Sequence, residues 1–560
     1  MSVRRVIECV PNISEGRDPA IIEEVSSVVE TVEGVKLLDV DPGAATNRTV
    51  ITFAGEPEQV IEAAVRLVKR AGELIDMSKH SGAHPRFGAT DVCPLVPISG
   101  VTMAECAAYA RELGRRLGEE LDLCVYLYEE AASRPERRNL ADVRAGEYEG
   151  LSARVTTDAW KPDFGPAAFD AKRGATAVGA RDFLVAYNVN FNTTSVKRVN
   201  EIAFTVREKG RVKRDADGAV VRDANGEKVR VDGTLKCVKG IGWFIEEYGI
   251  AQLSMNLTNI SVTSVHAAFD EVERQAIERG LRVTGSEIVG LVPLNALLDA
   301  GRHYLAKQER STGVSDAELI KIAVKSLGLD ELAPFDPKKR VIEYVLEADG
   351  PQRLVDLTLR GFAEETASES VAPGGGSVSA AAGALGAALG TMVANLSIEK
   401  KGWEGRYAEL DAIAARGKAS VDELVRLVDA DTDAFNAFTA ARRLPRKTDE
   451  EIAARDEAIQ EAIRGAIRIP LRVMQVSVDA LEVACLMAEG GLPASASDAG
   501  VGALCARAAV RGAWLNVRIN CPDLASEAER AEFLAAAEAL GAKAEELEAR
   551  ALAAVDATLS

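Results

Sequence analysis

Two of the four histidines in this chain, His80 and His84, fall in one segment, KHSGAHPRFGATD. The i,i+4 spacing is that of two zinc ligands on one face of a helix. Gly82 and Pro85 break a helix through both, and no Glu follows His80 as the helical zinc pattern requires, so a metal is set aside. His80 reads as a hydrogen-bonded structural residue. His84 differs, because Pro85 fixes the backbone after it and Arg86 places a cation beside it. A histidine held in a loop can accept and return a proton within one turnover. Asn12, Ser14 and Glu15 follow the first strand-like run in CVPNISEG, Asp39 and Asp41 end the second in LLDVDPG, and Asn47 and Arg48 open the third. Each alone is an ordinary turn residue. Their recurrence at successive strand ends describes a shared polar crevice.

A second constellation is the acidic run in SVDELVRLVDADTDAFNAFTAARRLP. At about 100° per residue, Leu424, Leu427, Val428, Phe435 and Phe438 form one apolar stripe with Asp431 in its middle. Asp429 and Asp433 fall on the other side and are expected to be solvated. Asp431 is expected to be half-buried. Burying a carboxylate is costly without a partner and raises its pKa toward neutrality, which suits proton shuttling. A core Asp paired with Arg507 or Arg511 is the plainer alternative. Nearby in sequence, SVAPGGGSVSAAAGALGAALG sets three glycines before a helix, which serves either anion binding or close helix packing. It is neither a Walker loop nor a dinucleotide fingerprint. Asn516 and Asn520, at i,i+4, either hydrogen-bond a flat heterocycle or tie helices together.

The elements that must hold these residues change character along the chain. Apolar runs at 6–10, 35–40, 50–53, 92–98 and 124–128 read as strands, and 19–31, 56–77 and 102–121 as helices. The order is βαββαβ with an added helix and strand, an α/β sandwich with one helical layer. A second βαββαβ-like unit starts at Phe183, with strands at 183–191, 235–238, 243–245, 251–257 and 288–292 and helices at 196–207 and 263–278. Between them, 208–233 carries DADG and DANG and reads as an exposed β-hairpin excursion. From about Val355 the chain is alanine-rich and helical: 378–398, 404–440, 448–488, 497–520 and 526–557 form a bundle. The expected divisions are 1–182, 183–328, a linker at 329–352 in which Pro334 and Pro337 argue against helix, and 353–560. The fold class is α/β, two such subdomains, followed by an all-α helical bundle domain.

At 560 residues the chain exceeds one core, and its net charge of -19 disfavours nucleic acid and anionic membranes as partners. The run 380–393 is too short and too weakly apolar to span a bilayer. Eight scattered cysteines without a framework spacing, and no apolar leader in MSVRRVIECVPNIS, point to reduced thiols in the cytoplasm.

ECVPNISEG, LLDVDPGAATNRTV, IDMSKHSGAHPRFGATDVCP, AGEYEGL, DFGPAAF, GATAVGAR and KGIGWF resemble the transferase half of the formimidoyltransferase-cyclodeaminase family, over residues 4 to about 330. APGGGSVSA, LVDADTDAF and SDAGVGAL with NVRIN resemble its cyclodeaminase half, over about 355–550. The resemblance implies a bifunctional folate enzyme of histidine degradation. Its first reaction moves a formimidoyl group from N-formimidoyl-L-glutamate to tetrahydrofolate. Its second closes 5-formimidoyltetrahydrofolate to 5,10-methenyltetrahydrofolate with loss of ammonia. The resemblance places the acid/base of transfer on His84, with Asp41 to orient it, and the proton-transfer residue of ring closure on Asp431. It places folate contacts on Gly165, Pro166, Ala167, Ala168, Phe169, Asp170, Ala171, Lys172, Arg173 and Gly174. Arg48, Arg86 and Lys172 are candidates for the substrate carboxylates. No metal or redox cofactor is implied. The partners implied are small molecules, with tetrahydrofolate in mono- or polyglutamylated form, and a second copy of the chain, at least a dimer through the helical domain. A methenyltetrahydrofolate cyclohydrolase-like helical half and a scaffold with degenerate sites stay open as alternatives. A metal-dependent amidohydrolase is the reading that the histidine spacing disfavours most.

Overall fold

The computed structural model describes residues 5–44, 47–82, 86–223, 225–348 and 353–560. Its contacts divide the chain into two compact units, 2–297 with 324–350, and 298–323 with 351–560.

The first unit opens with β1 (Val6–Cys9), β2 (Asn12–Ile13), α1 (Pro19–Ser26), β3 (Lys36–Gly43), β4 (Arg48–Gly55), α2 (Pro57–Leu74), β5 (Thr90–Ser99), α3 (Met103–Glu120) and β6 (Cys124–Glu129). The short helices α4 (Leu140–Val143) and α5 (Glu147–Arg154) and the strand β7 (Ala175–Ala180) follow. β1 and β2 share one position in the sheet, between β4 and β5, and β3 forms the edge beyond β4. These pairings are antiparallel, whereas β7 inserts between β5 and β6 parallel to both. Ile7, Cys9, Phe53, Leu95, Leu127 and Val178 meet the apolar stripes of α2 and α3 on one face. Phe87, Val92, Tyr126, Val143 and Leu151 form a smaller core on the other.

Then come β8 (Val185–Phe191), α6 (Val196–Val206), β9 (Arg211–Val212), β10 (Arg230–Val231), β11 (Val238–Ile245), β12 (Ile250–Leu257), α7 (Val265–Ile277) and β13 (Val283–Val289). The second sheet runs β11–β12–β8–β13, antiparallel throughout. The runs expected at 235–238 and 243–245 meet in one strand, β11, which takes in Val238 but not 235–237 and continues because Gly240 and Gly242 interrupt the apolar pattern and not the ladder. The 208–233 excursion is a hairpin at its base, where β9 pairs with β10. Isolated bridges Arg214–Val220 and Arg222–Lys228 flank its two Asp/Asn-Gly turns.

The chain continues through α8 (Leu294–Lys307) and α9 (Asp316–Leu327), inside which the unit boundaries fall. The segment expected to link without helix contains α10 (Pro337–Arg340) and α11 (Ile342–Glu347). Pro337 occupies the first turn of α10, where the missing N–H costs nothing, and Asp336 caps it. Residues 329–348 also bond into the first unit. Glu331 Oε2 accepts from Asn190 Nδ2 at 2.7 Å, Val341 bridges Val292, and Lys36 Nζ donates to the Val345 carbonyl at 2.9 Å.

The helical part of the second unit is α12 (Leu359–Thr366), α13 (Gly375–Ile398), α14 (Tyr407–Arg442), α15 (Asp449–Gly490), α16 (Ala496–Asn520) and α17 (Glu527–Leu559). At 24 residues α13 is longer than its apolar run suggested, and by length and composition it is long and apolar enough to cross a membrane. Here it is a core helix, packed against α14, α15 and α16 through small residues such as Ala380, Ala387 and Ala394.

Candidate functional site

The first polar cluster forms where β2, the turn before β4 and the segment after α2 meet. Asn12 Oδ1 accepts from Arg48 Nε and Nη2 at 3.0 and 2.8 Å, and Arg48 Nη1 reaches Asp91 Oδ2 at 2.7 Å. Arg144 Nη2 meets the same carboxylate oxygen at 2.8 Å. Asp91 is 1% exposed, and burial raises its carboxyl pKa while Arg48 and Arg144 pull it down. Burial likewise lowers Arg48. Asn47, at a φ of 51°, accepts from Gly16 N and donates to the Ser81 carbonyl, both at 3.0 Å. Its own carbonyl takes the His80 Nε2 proton at 2.9 Å, the structural role expected of His80. Ser14 Oγ donates to the Gly88 carbonyl, and Thr49 Oγ1 to that of Glu15. The expected crevice residues Asn12, Ser14, Glu15, Asn47 and Arg48 are therefore brought together.

His84 lies outside the described residues, between Gly82 and Arg86. Asp41 is exposed on β3, in register with Val50, with Asp39 two residues before it on the same strand. Arg86 is close-paired with Glu149, donates to the His80 carbonyl, and stacks 5.4 Å from the Tyr148 ring centre. Tyr148 in turn packs on Phe169 at 5.5 Å, and its backbone N–H bonds the Arg86 carbonyl at 2.7 Å. A stack of Arg86, Tyr148 and Phe169 thus joins the segment at 86–88 to the tip of the loop at 165–174.

That second loop is otherwise exposed, and Arg173 pins its base. Arg173 Nε bonds Asp170 Oδ2 at 2.6 Å, while Nη1 and Nη2 reach the Leu121 and Asp122 carbonyls at the end of α3, at 2.6 and 3.1 Å. Cations at a helix C-terminus satisfy its orphan carbonyls. Gly88 and Gly174 bridge the two loops at close range: a Cβ on Gly88 would sit 2.2 Å from the Ala175 carbonyl, and one on Gly174 2.5 Å from that of Phe87. Behind the loop base lies a cavity of about 350 Å³, lined by Val68, Gly72, Thr90, Leu123, Lys172 and Arg173. Of the expected carboxylate binders, Arg48 and Arg86 already hold Asp91 and Glu149, and Lys172 Nζ donates to the Glu73 carbonyl of α2 at 2.8 Å.

In the helical unit Leu424, Leu427 and Val428 are buried, Phe438 is half-buried and Phe435 is exposed. Asp431 lies half-buried over the first turn of α13. Its Oδ2 accepts from the Ser377 backbone N–H at 3.0 Å and lies 3.3 Å from Ser377 Oγ. Burial raises its pKa and the Ser377 bonds oppose this. Among the described residues no arginine pairs with it, and Arg507 pairs with Glu548 instead. Asp433 is exposed, but Asp429 is not fully solvated. Residues 353–356 cover that face of α14, and Leu354 N–H donates to Asp429 Oδ1 at 2.8 Å. Asn520 ties α16 to the Ala466 carbonyl of α15, whereas Asn516 stands beside Gly375 and donates to the Gly512 carbonyl one turn back.

Residues 6–181 match the formiminotransferase N-terminal subdomain, 186–347 the formiminotransferase domain, and 358–539 the formiminotransferase-cyclodeaminase model. The chain is 44% identical to mouse formimidoyltransferase-cyclodeaminase over 93% of its own length and 94% of that protein. It belongs to the formimidoyltransferase-cyclodeaminase family. Each half of a family member also has separate relatives. The glutamate formimidoyltransferase of Streptococcus pyogenes is 39% identical over 54% of this chain and 95% of its own. The methenyltetrahydrofolate cyclohydrolase of Methylorubrum extorquens is 39% identical over 34% of this chain and 93% of its own.

Several polar residues at these sites carry little or no local sequence signal. Arg144 has none, since its partner Asp91 is 53 residues away. On the second sheet Trp243 Nε1 donates to Gln252 Oε1 at 2.9 Å, Gln252 Nε2 to Asn190 Oδ1 at 2.8 Å, and Asn190 to Glu331. Asn190 and Gln252 sit on strands as polar residues at fully buried positions, and a polar residue inside an apolar strand run is the signal that could have found them.

Proposed function

We propose that this chain transfers the formimidoyl group of N-formimidoyl-L-glutamate to tetrahydrofolate and then closes the product to 5,10-methenyltetrahydrofolate, releasing ammonia. The full-length likeness to an enzyme named for both activities carries this reading. In the first step N5 of the pterin attacks the formimidoyl carbon and the bond to the glutamate nitrogen breaks. His84 takes the proton from N5 and returns it to the departing nitrogen, with Asp41 to orient the imidazole. The loop at 165–174 holds the folate. In the second step N10 attacks the same carbon of the protonated amidine, and Asp431 moves the N10 proton to the leaving nitrogen. Ammonia departs and the positive charge stays on the methenyl bridge.

We further propose that the helical unit works as at least a dimer. The exposed Leu385, Leu396, Leu504, Leu515 and Ile519 of α13 and α16 support this, as such a surface is costly in water. The cytoplasm is the proposed compartment, supported by eight cysteines that are all free thiols. One assay tests the reading. Purified protein is mixed with tetrahydrofolate and formimidoylglutamate, and methenyltetrahydrofolate absorbance and ammonia are followed together. Both should rise in equal amounts. The cyclohydrolase relative favours a second reading of the helical unit. On that reading methenyltetrahydrofolate is hydrated by the enzyme and no ammonia leaves supplied formimidoyltetrahydrofolate.

A further inference from the structure

The Asp431 carboxylate is held asymmetrically. Oδ2 accepts the backbone N–H of Ser377 at 3.0 Å, and the Ser377 hydroxyl lies between that oxygen, at 3.3 Å, and the Val428 carbonyl, at 2.8 Å. Ser377 is fully buried, so its hydroxyl exchanges only between these two acceptors. Among the described residues no donor reaches Oδ1. The fit has no slack, for a Cβ on Gly376 would stand 2.1 Å from Oδ1, 2.4 Å from Cγ and 2.6 Å from Oδ2. Asp is a short side chain on a rigid helix, so it cannot give way and keep the Ser377 bonds.

Resting on the cyclodeaminase reading above, we infer that Ser377 and Gly376 are positioning residues that lock Oδ2 of Asp431 and present Oδ1 as the atom that carries the moving proton. The backbone N–H occupies Oδ2 whether the acid is ionised or not, because it can only donate. That bond makes Oδ2 the less basic of the two oxygens, so a proton on Asp431 goes to Oδ1. The serine hydroxyl turns toward Oδ2 when Asp431 is ionised and toward Val428 when it is protonated, so both states of a turnover are solvated without moving the carboxylate. Its neighbours on α14, Asp429 and Asp433, do not perturb it, and Asn516 of α16, near Gly375, is uncharged. Ser377 is the polar group that faces it from α13.

The test uses the full-length protein with Gly376→Ala, Ser377→Ala, Ser377→Thr and Asp431→Asn. Ring closure of supplied formimidoyltetrahydrofolate is measured against pH, and formimidoyl transfer on the same samples reports integrity of the first unit. Gly376→Ala should lower ring-closure kcat about 100-fold through misplacement of the carboxylate, with transfer unchanged. Ser377→Ala should lower it roughly threefold to tenfold, the worth of one ordinary hydrogen bond. It should also move the limb governed by Asp431 to higher pH, because the lost hydroxyl favoured the ionised form. Ser377→Thr should restore that limb. Unchanged kcat and profile in both Gly376→Ala and Ser377→Ala, with Asp431→Asn inactive, would overturn the positioning roles and leave the reading intact. Full ring closure in Asp431→Asn would overturn the reading itself. Should Gly376→Ala unfold the helical unit, the Ser377→Ala limb decides alone: displacement supports the inference and a fixed limb overturns it.

Discussion

Buried ionisable groups in this protein divide by what they touch. Asp91 has two guanidiniums, Asp429 a backbone N–H and Asp431 a serine, whereas Glu8 on β1 lies 4% exposed with the charge of Arg181 to offset its burial. Burial pushes the Glu8 carboxyl up to about 7 from 4.5. Below the lower of these values Glu8 is protonated whether the chain is folded or not, and stability does not depend on it. As pH rises between them the unfolded chain loses the proton first, so folding weakens until the folded carboxyl ionises as well. The loss at pH 8 is at most about 3.5 kcal/mol, since each pH unit between the two values costs about 1.4 kcal/mol. Glu8→Gln should therefore match the wild type in thermal midpoint near pH 4 and exceed it by several degrees at pH 8, by calorimetry of the first unit's transition. A gap that stays constant with pH would refute the assignment.

At the scale of elements, the proposed folate contacts rest on how the loop at 165–174 is anchored. The loop at 165–174 is fixed at its tip by Phe169 on Tyr148 and at its base by Arg173 on the α3 carbonyls. Arg173→Ala should free the base and make folate bear the cost of ordering it. The KM for tetrahydrofolate should rise roughly tenfold, about 1.4 kcal/mol, with transfer kcat nearly unchanged. An unaltered KM would show that the stack at the tip suffices. This anchoring is not legible in the sequence, because it depends on α3 ending where Arg173 arrives, 52 residues later. Long amphipathic helices such as α2, α3 and α14 are legible, since their apolar stripes are local. β7 is not: Ala175–Ala180 is small and uniformly buried, so it shows neither alternation nor bulk, and only its neighbours β5 and β6 make it a strand. Pro337 misleads for the opposite reason, since a proline that breaks a helix interior also starts one. Asp431 stands out because one polar residue on an apolar stripe is a local anomaly. Asp429 is misjudged from sequence because its cover comes from residues 353–356, distant along the chain.

At the scale of the whole chain, the two proposed proton carriers fall in different family matches, position 84 within 6–181 and Asp431 within 358–539. Among the described residues each unit has its own core. His84→Ala should abolish transfer, by about 100-fold or more for loss of a general acid/base, and leave ring closure of supplied formimidoyltetrahydrofolate at its wild-type rate. Asp431→Ala should do the reverse, so that formimidoyltetrahydrofolate accumulates from formimidoylglutamate while ammonia release stops. Mixing the two variants should restore methenyltetrahydrofolate formation, because the intermediate released by one protein is substrate for the other. The mixed rate should fall on dilution more steeply than the wild type's if intermediate normally stays with one chain or oligomer, and in parallel with it if intermediate always diffuses free. If either single substitution stops both reactions in a folded protein, the two proton transfers share a site and the assignment of one carrier to each unit is wrong.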